Sequence, residues 1–333
     1  MTELKILAVR LGSLGDIVHA FPAVSGLRTS FPNAEIIWLT HPTWKFLVST
    51  SELATEVWTV DSRNWSNVRS VLARIKEHRF ETAIDYQGLW KSAALPFLAR
   101  VPRRIGFSSE TVREAGVSIL YTDRVKVSAS EHIADQNAEL SARAGANVSV
   151  GQVKLTVPFE DEQVVRARIA QDGTEDYVVL SPGGGWQSKC WPADRYGLLA
   201  KKILDQFGLR SVINVGPGEE QLAELVVQAA GNSRPIPFTG SLGQLMALLK
   251  NASALVAGDT GPMHLADVLG TRVIAIFGPT DPARNGLYHR SGVVLRWEGA
   301  ARTYKRQTEP DESLLHISVE QVLSALRGLR EAA

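Results

Sequence analysis

Short apolar runs, each followed by a polar or glycine-bearing turn and then by helical spacing, recur along this chain in two blocks. Nothing else in the sequence restricts the fold as strongly. In the first block Leu4 to Val9 is apolar, Gly12 and Gly15 follow, and Ile17 to Leu27 has helical spacing. Further strands are predicted over Glu35 to Leu39, Val57 to Val60, Ala83 to Asp85 and Arg104 to Phe107, with helices over Trp65 to Glu77 and Leu89 to Ala99. The second block repeats the pattern. Its strands are expected at Tyr177 to Ser181, Ser211 to Val215, Ala254 to Ala257 and Val273 to Phe277. Its helices are expected at Asp194 to Phe207, Glu219 to Ala230, Leu242 to Lys250 and Met263 to Leu269. Strand and helix alternating through short loops make parallel βαβ units.

A length of 333 residues exceeds one ordinary domain. Near Pro158 to Asp161 a proline and neighbouring acids break the pattern, so the join is placed there. The expectation is an α/β protein of two Rossmann-like, doubly wound domains facing a cleft. They cover 1–158 and 159–315, and a closing helix (Val319 to Leu329) lies in 316–333. In such sheets ligands sit beyond the carboxyl ends of the strands, so the loops after strands carry the chemistry.

Composition narrows the function. Net charge is +1, which gives no general attraction for nucleic acid, and any anion needs a local cluster. The single cysteine, Cys190, excludes a disulfide framework. The segment Met1-Thr2-Glu3-Leu4-Lys5 does not have the pattern expected of a secretory leader, and no apolar run approaches the ~18 residues of a membrane span. A cytoplasmic location follows as an expectation, with room for contact at a membrane surface.

Four loops stand out. Arg10-Leu11-Gly12-Ser13-Leu14-Gly15-Asp16 follows the first strand and opens a helix. Its spacing is not the dinucleotide pattern, which removes the main support for a dehydrogenase. Asp16 is either a cap on the helix dipole or a general base. Ser181-Pro182-Gly183-Gly184-Gly185 runs on to Lys189, so free backbone N–H groups and a cation meet where an anion would bind. Gly258-Asp259-Thr260-Gly261-Pro262-Met263-His264 opens a helix with proline in its first turn. The N–H groups of Thr260, Gly261 and Met263 are candidate anion donors, and Asp259 is a candidate for sugar hydroxyls. In Gly216-Pro217-Gly218-Glu219-Glu220, either Glu219 or Glu220 is placed to hold ribose hydroxyls. The chain has no Asp-x-Asp, the usual carboxylate pair for a metal on a nucleotide diphosphate, and its seven histidines show no metal-ligand spacing.

Together these loops resemble glycosyltransferase family 9, the bacterial lipopolysaccharide heptosyltransferases. The resemblance rests on Leu14-Gly15-Asp16-Ile17-Val18-His19 followed by Phe21-Pro22-Ala23, and on Lys189-Cys190-Trp191-Pro192. It also rests on Asp259-Thr260-Gly261-Pro262-Met263-His264-Leu265-Ala266 and Phe277-Gly278-Pro279-Thr280-Asp281-Pro282, in family order. Asp85-Tyr86-Gln87-Gly88-Leu89-Trp90-Lys91-Ser92-Ala93 and Thr111-Val112-Arg113-Glu114 are similar to the heptosyltransferase I branch. The cysteine-containing segment frequent before the last helix of the family has no counterpart here, because Arg296 to Leu315 lacks cysteine.

The resemblance implies an inverting transferase of GT-B type, with ADP-heptose as co-substrate, Kdo2–lipid A as acceptor, no cofactor and no metal. It implies catalysis by Asp16 and Lys189. Donor contacts would come from Gly15, Ser181, Gly184, Gly185, Lys189, Glu219, Asp259, Thr260, Gly261 and His264. Arg63, Lys91 and Arg113 would bind the acceptor, and the enzyme would sit peripherally on the cytoplasmic face of the inner membrane. The basic cluster of Arg100, Arg103 and Arg104 faces either anionic headgroups or solvent. In this family the last helix returns to the first domain. Three alternatives stay open: a family 9 transferase with another acceptor, a nucleotide-sugar epimerase, and a nucleotide-sugar-binding protein without turnover.

Overall fold

The computed structural model describes residues 4–147, 153–170, 176–289, 291–303 and 308–331. It divides into two compact units, Met1–Thr156 and Val157–Ala333. The first holds β1 (Lys5–Val9), β2 (Glu35–Thr40), β3 (Glu56–Thr59), β4 (Thr82–Asp85), β5 (Arg103–Phe107) and β6 (Asp123–Val125). They form one sheet in the order β3-β2-β1-β4-β5-β6, and every pairing is parallel. The second holds β7 (Tyr177–Ser181), β8 (Arg210–Asn214), β9 (Ile236–Phe238), β10 (Ala254–Gly258), β11 (Val273–Phe277) and β12 (Gly292–Arg296). Their order, β12-β11-β10-β7-β8-β9, is the same winding seen from the other side, again all parallel.

Central strands are buried on both faces, which is why they read as unbroken apolar runs. β7, β10 and β11 are buried at every position. The strands that sequence reading did not find, β6, β9 and β12, all lie at sheet edges. They are half-exposed or short, and β9 contains Pro237, which an edge tolerates.

One helical expectation needs correction. The stretch from Ile17 to Leu27 is two helices, Leu14–Val18 and Phe21–Ser30, because Pro22 can begin a helix but cannot sit in its interior. The acids near the expected join are helical. Glu160, Asp161 and Glu162 form the first turn of the helix Phe159–Ala170, where carboxylates face the positive end of the dipole. The closing helix, Val319–Glu331, packs on the second unit. Val322, Leu323 and Leu326 enter the second unit's core, against the helix Ala193–Phe207. The chain leading into it is tied down as well: Trp191 Nε1 donates to the Ile317 carbonyl at 3.0 Å, and Arg195 to the same oxygen at 2.8 Å. No described helix is long and apolar enough to cross a membrane. Of the cysteine-free stretch, residues 304–307 lie outside the described residues, as do Met1–Glu3 of the opening segment.

Gly197 sets how closely Ala193–Phe207 packs on Glu220–Ala230. A Cβ there would stand 2.5 Å from Ala229 Cβ and 2.6 Å from the Val226 carbonyl oxygen. Gly197→Ala should therefore destabilise the protein by about 1–3 kcal/mol through overpacking. Gly328→Ala, in a helix with open space around the new methyl, should stabilise it by about 0.5–1 kcal/mol. Urea titration of both variants reads the opposite signs, and equal shifts would remove Gly197 as the spacer.

Candidate functional site

In each sheet the winding reverses between two neighbouring strands, β1 and β4 in the first, β7 and β10 in the second. The loops leaving such a pair diverge to opposite faces and open a crevice above the strand ends. Three of the four loops singled out in the sequence leave β1, β7 and β10, and the fourth leaves β8.

In the first unit, Arg10 and Tyr86 directly follow the paired residues Val9 and Asp85. The Arg10 guanidinium is buried, with only 4% of its side chain exposed. It donates to the Tyr86 carbonyl through one nitrogen and meets Asp16 Oδ1 at 2.6 Å through another. The Leu11 N–H donates to Gln87 Oε1 at 2.8 Å, so the two loops are joined twice. Asp16 Oδ2 accepts the Ser13 N–H at 3.0 Å and lies 3.9 Å from Arg113. Burial pushes the Asp16 carboxyl up, but Arg10, Ser13 and Arg113 outweigh it and hold the group below the usual carboxylate range. Asp16 is thus both a cap and an ionised group at the crevice. Gly15 is buried within its helix, next to it.

Asp85 lies beneath. Its Oδ1 accepts from the Gln87 and Gly88 N–H groups, and its Oδ2 from Ser92 Oγ at 2.8 Å and Tyr121 OH at 2.7 Å. Burial pushes its pKa up, and the four donors pull against that without reversing it. Arg63 follows β3 and pairs with Asp61 at 3.3 Å, while Lys91 follows β4 and is exposed. The structure brings Arg113 to Asp16 and shows no such contact for Arg63 or Lys91 among the described residues.

In the second unit, Lys189 Nζ meets Asp259 Oδ2 at 2.6 Å, with side chains 16% and 4% exposed. His264 Nε2 lies 3.4 Å from Asp259 Oδ1. Burial raises the Asp259 carboxyl, but the His264 hydrogen bond and the Lys189 charge pull it far below the ordinary value. Lys189 also lies 4.7 Å above the Trp186 ring. A Cβ on Gly258 would stand 2.5 Å from the Lys189 carbonyl, so glycine lets the two loops touch. Glu219 Oε2 accepts the Gly216 N–H at 2.8 Å, and its carboxylate occupies the space a Cβ on Gly183 would need. Glu220 turns to the Gly218 N–H at 3.1 Å and is exposed, which leaves Glu219 as the inward acid. Gly184 packs against Thr260 and Cys190, while Gly185 faces open space. Cys190 is buried, and its thiol is pushed up to about 11 by burial and by Glu219.

Three expectations change here. Both Asp259 oxygens are engaged by Lys189 and His264, so its first task is to hold Lys189. The Ser181 hydroxyl is buried and accepts from Asn214 Nδ2 at 3.2 Å, so it supports the loop from below. The Met263 N–H donates to the Thr260 carbonyl at 3.1 Å. The N–H groups of Thr260 and Gly261 have no hydrogen-bond partner among the described residues. Sequence reading missed Arg10, Gln87 and Trp186 as site residues. Only Arg10 carried a signal, a cation between a strand and a glycine turn. Among the described residues no group of three or more His, Cys, Asp or Glu is arranged to hold a metal.

Residues 68–313 match the pattern of glycosyltransferase family 9 (heptosyltransferase). Lipopolysaccharide heptosyltransferase 1 of Pseudomonas aeruginosa is 28% identical, over 97% of this chain and 94% of that protein. Two solved structures share the two-domain fold. Escherichia coli ADP-heptose lps heptosyltransferase II superposes with a TM-score of 0.84 at 20% identity, over 99% of this chain and 100% of that one. E. coli heptosyltransferase WaaC with ADP gives 0.76 at 24%, over 99% of both chains.

The Lys189–Asp259–His264 cluster has a consequence for stability. Because the folded carboxyl titrates below the ~3.9 of an unfolded chain, its ionised form contributes stability above that pH. The contribution is lost as pH falls through the folded value. From about pH 5 to about pH 3 the parent should lose stability more steeply than Asp259→Asn in urea titrations. Parallel curves would mean that Asp259 gains nothing from its neighbours.

Proposed function

The chain belongs to glycosyltransferase family 9, the heptosyltransferases, and on that premise we propose that it moves a heptose from ADP-heptose to a Kdo residue of the lipopolysaccharide inner core. The observation that carries this is the division of labour between the two crevices. One presents a carboxylate that a buried arginine holds ionised. The other presents a cation beside backbone donors.

In this reading the acceptor hydroxyl gives its proton to Asp16 as its oxygen bonds to the anomeric carbon. The bond from that carbon to the diphosphate oxygen breaks on the opposite face, so the configuration inverts. ADP leaves with the electron pair. The charge growing on the diphosphate is met by Lys189, whose ammonium has three donors and gives one to Asp259. The N–H groups of Thr260 and Gly261 add to it at a helix N-terminus. This arrangement asks nothing of a divalent metal. Glu219 keeps one oxygen for ribose, since the other accepts from Gly216. Gly184 and Gly185 leave the diphosphate room to approach the loop backbone.

On the acceptor side, Arg63, Lys91 and Arg113 offer charges to Kdo carboxylates and lipid A phosphates. Arg113 has a second part. It stands 3.9 Å from Asp16 Oδ2, so an acceptor anion that draws it away leaves that oxygen more basic when the hydroxyl arrives. A lipid-linked acceptor of this kind supports a peripheral position on the cytoplasmic face of the inner membrane as part of the same reading.

A mass-detected transfer assay with ADP-heptose and Kdo2–lipid A tests the whole reading. Product must need both substrates. An epimer formed from donor alone, or donor binding without any product, would replace it with one of the alternatives. Initial rates should be nearly unchanged by excess EDTA, and a loss restored by Mg²⁺ would end the metal-free mechanism. Asp16→Asn keeps an acceptor for the Ser13 N–H but cannot take a proton. It should fold, bind ADP like the parent and lose at least about a hundredfold in turnover. Normal turnover in that variant would dismiss Asp16 as the base.

A further inference from the structure

The loops that leave β2, β3 and β4 emerge at one edge of the first sheet, because these strands are parallel and lie within four adjacent positions. Each loop or helix start presents an exposed ring beside a cation. Lys45 and Phe46 follow β2, Arg63 and Trp65 follow β3, and Trp90 and Lys91 follow β4. Trp65 is 78% exposed, Trp90 45% and Phe46 39%. Scattered apolar side chains are ordinary on a surface. Two indoles and a phenyl ring recurring at one sheet edge, each paired with a cation, are a pattern.

Asp61 lies against Arg63 and His41, and Glu110 pairs with Lys126 at 2.6 Å, while Glu114 keeps its charge and accepts the backbone N–H of Trp90 at 2.7 Å. Lys45 and Lys91 have no ion pair among the described residues. With Lys45, Arg63, Lys91 and Lys126 against Asp61, Glu110 and Glu114, the edge combines amphipathic rings with a net positive charge.

We propose that this rim docks on an anionic lipid bilayer, with the two indoles entering the headgroup layer and the lysines facing lipid phosphates. Tryptophan favours that layer, where its ring is sheltered and its N–H stays wet. Basic residues near an anionic membrane surface add an attraction that salt screens. The proposal rests on the functional reading above and adds the surface used. The rim is built from the loops that carry Arg63 and Lys91, so docking brings a lipid-linked acceptor to the edge where those cations stand. A second apolar patch, Phe97 and Leu98 with Lys76, Arg100 and Arg104, lines a groove at the other end of the helix Trp90–Leu98. It is the natural comparison.

The full chain is floated with acceptor-free vesicles of phosphatidylcholine, alone or mixed equally with phosphatidylglycerol. The parent should float with the mixed vesicles, less so as salt rises, and poorly with phosphatidylcholine alone. Trp65→Ser/Trp90→Ser should lose about tenfold in partitioning. Its transfer to acceptor dispersed in detergent should match the parent. Phe97→Ser/Leu98→Ser should float like the parent. A complementary measurement needs no polar substitution: lipid brominated near the headgroup should quench the parent's fluorescence more than that of Trp65→Phe. The proposal is overturned if the parent does not float, if the tryptophan variant floats normally, or if the groove variant is the one that detaches. Absence of heptose transfer with flotation intact would count against the functional reading and leave the docking surface standing.

Discussion

In a parallel sheet every strand ends on the same side, so each strand-to-helix loop is delivered to one edge, and at the reversal of winding two of those loops part. Both candidate sites depend on that geometry. It supplies a crevice, but it does not supply a fixed distance between the groups on either side of it. The chain adds the fixing. In the first unit Arg10 reaches from the β1 loop to the Tyr86 carbonyl, and Gln87 reaches back to the Leu11 N–H. In the second, Gly258 lets the Lys189 carbonyl press against the β10 loop, and Asp259 holds the ammonium. Each crevice is therefore closed at its base by contacts that position one charged group.

Those contacts are poor investments in stability taken singly. Removing Arg10 or Lys189 from water has a cost that an ion pair barely offsets. Their value lies in preorganisation. A guanidinium locked between a carbonyl and a carboxylate is already oriented before anything enters the crevice. The same logic separates the three glycines after β7. Gly183 makes room for the Glu219 carboxylate, Gly184 for Thr260, and Gly185 faces open space. A run that reads as uniform flexibility is two separate accommodations to side chains from other loops and one open position.

This explains what was legible in the sequence. The central strands and the helices beside them were readable because burial on both faces leaves an unbroken apolar signature, as in β7 and β11. The edge strands were not, since a half-exposed segment such as Asp123–Val125 has no periodic mark. At the site, residues in glycine-bearing loops were visible because the turn chemistry announced them. Gln87 was quoted as part of a motif, but its function is a contact with Leu11, 76 positions away in sequence, and no local pattern encodes that. The burial of Asp259 beneath Lys189 and His264 was hidden for the same reason. Sequence gives a carboxylate at a loop, and only the fold says that both its oxygens are already taken.

The first unit shows how much that distinction decides. It sets two carboxylates at neighbouring strand ends, Asp16 after β1 and Asp85 closing β4, and it treats them in opposite ways. Among the described residues Asp85 has no ion-pair partner. It is met by two backbone N–H groups and two hydroxyls, it is sealed from solvent, and burial shifts it toward its neutral form. Asp16 is less enclosed, and the Arg10 guanidinium keeps it charged. A proton acceptor must be ionised at neutral pH and reachable by the hydroxyl it serves. Asp85 fails the second condition whatever its charge, because every approach to its oxygens is occupied. What it does instead is hold Gln87 and Gly88 in the turn that supports the Arg10 clamp. The buried acid thus shapes the loop, the loop fixes the arginine, and the arginine keeps the one accessible carboxylate of the pair in the form that can take a proton.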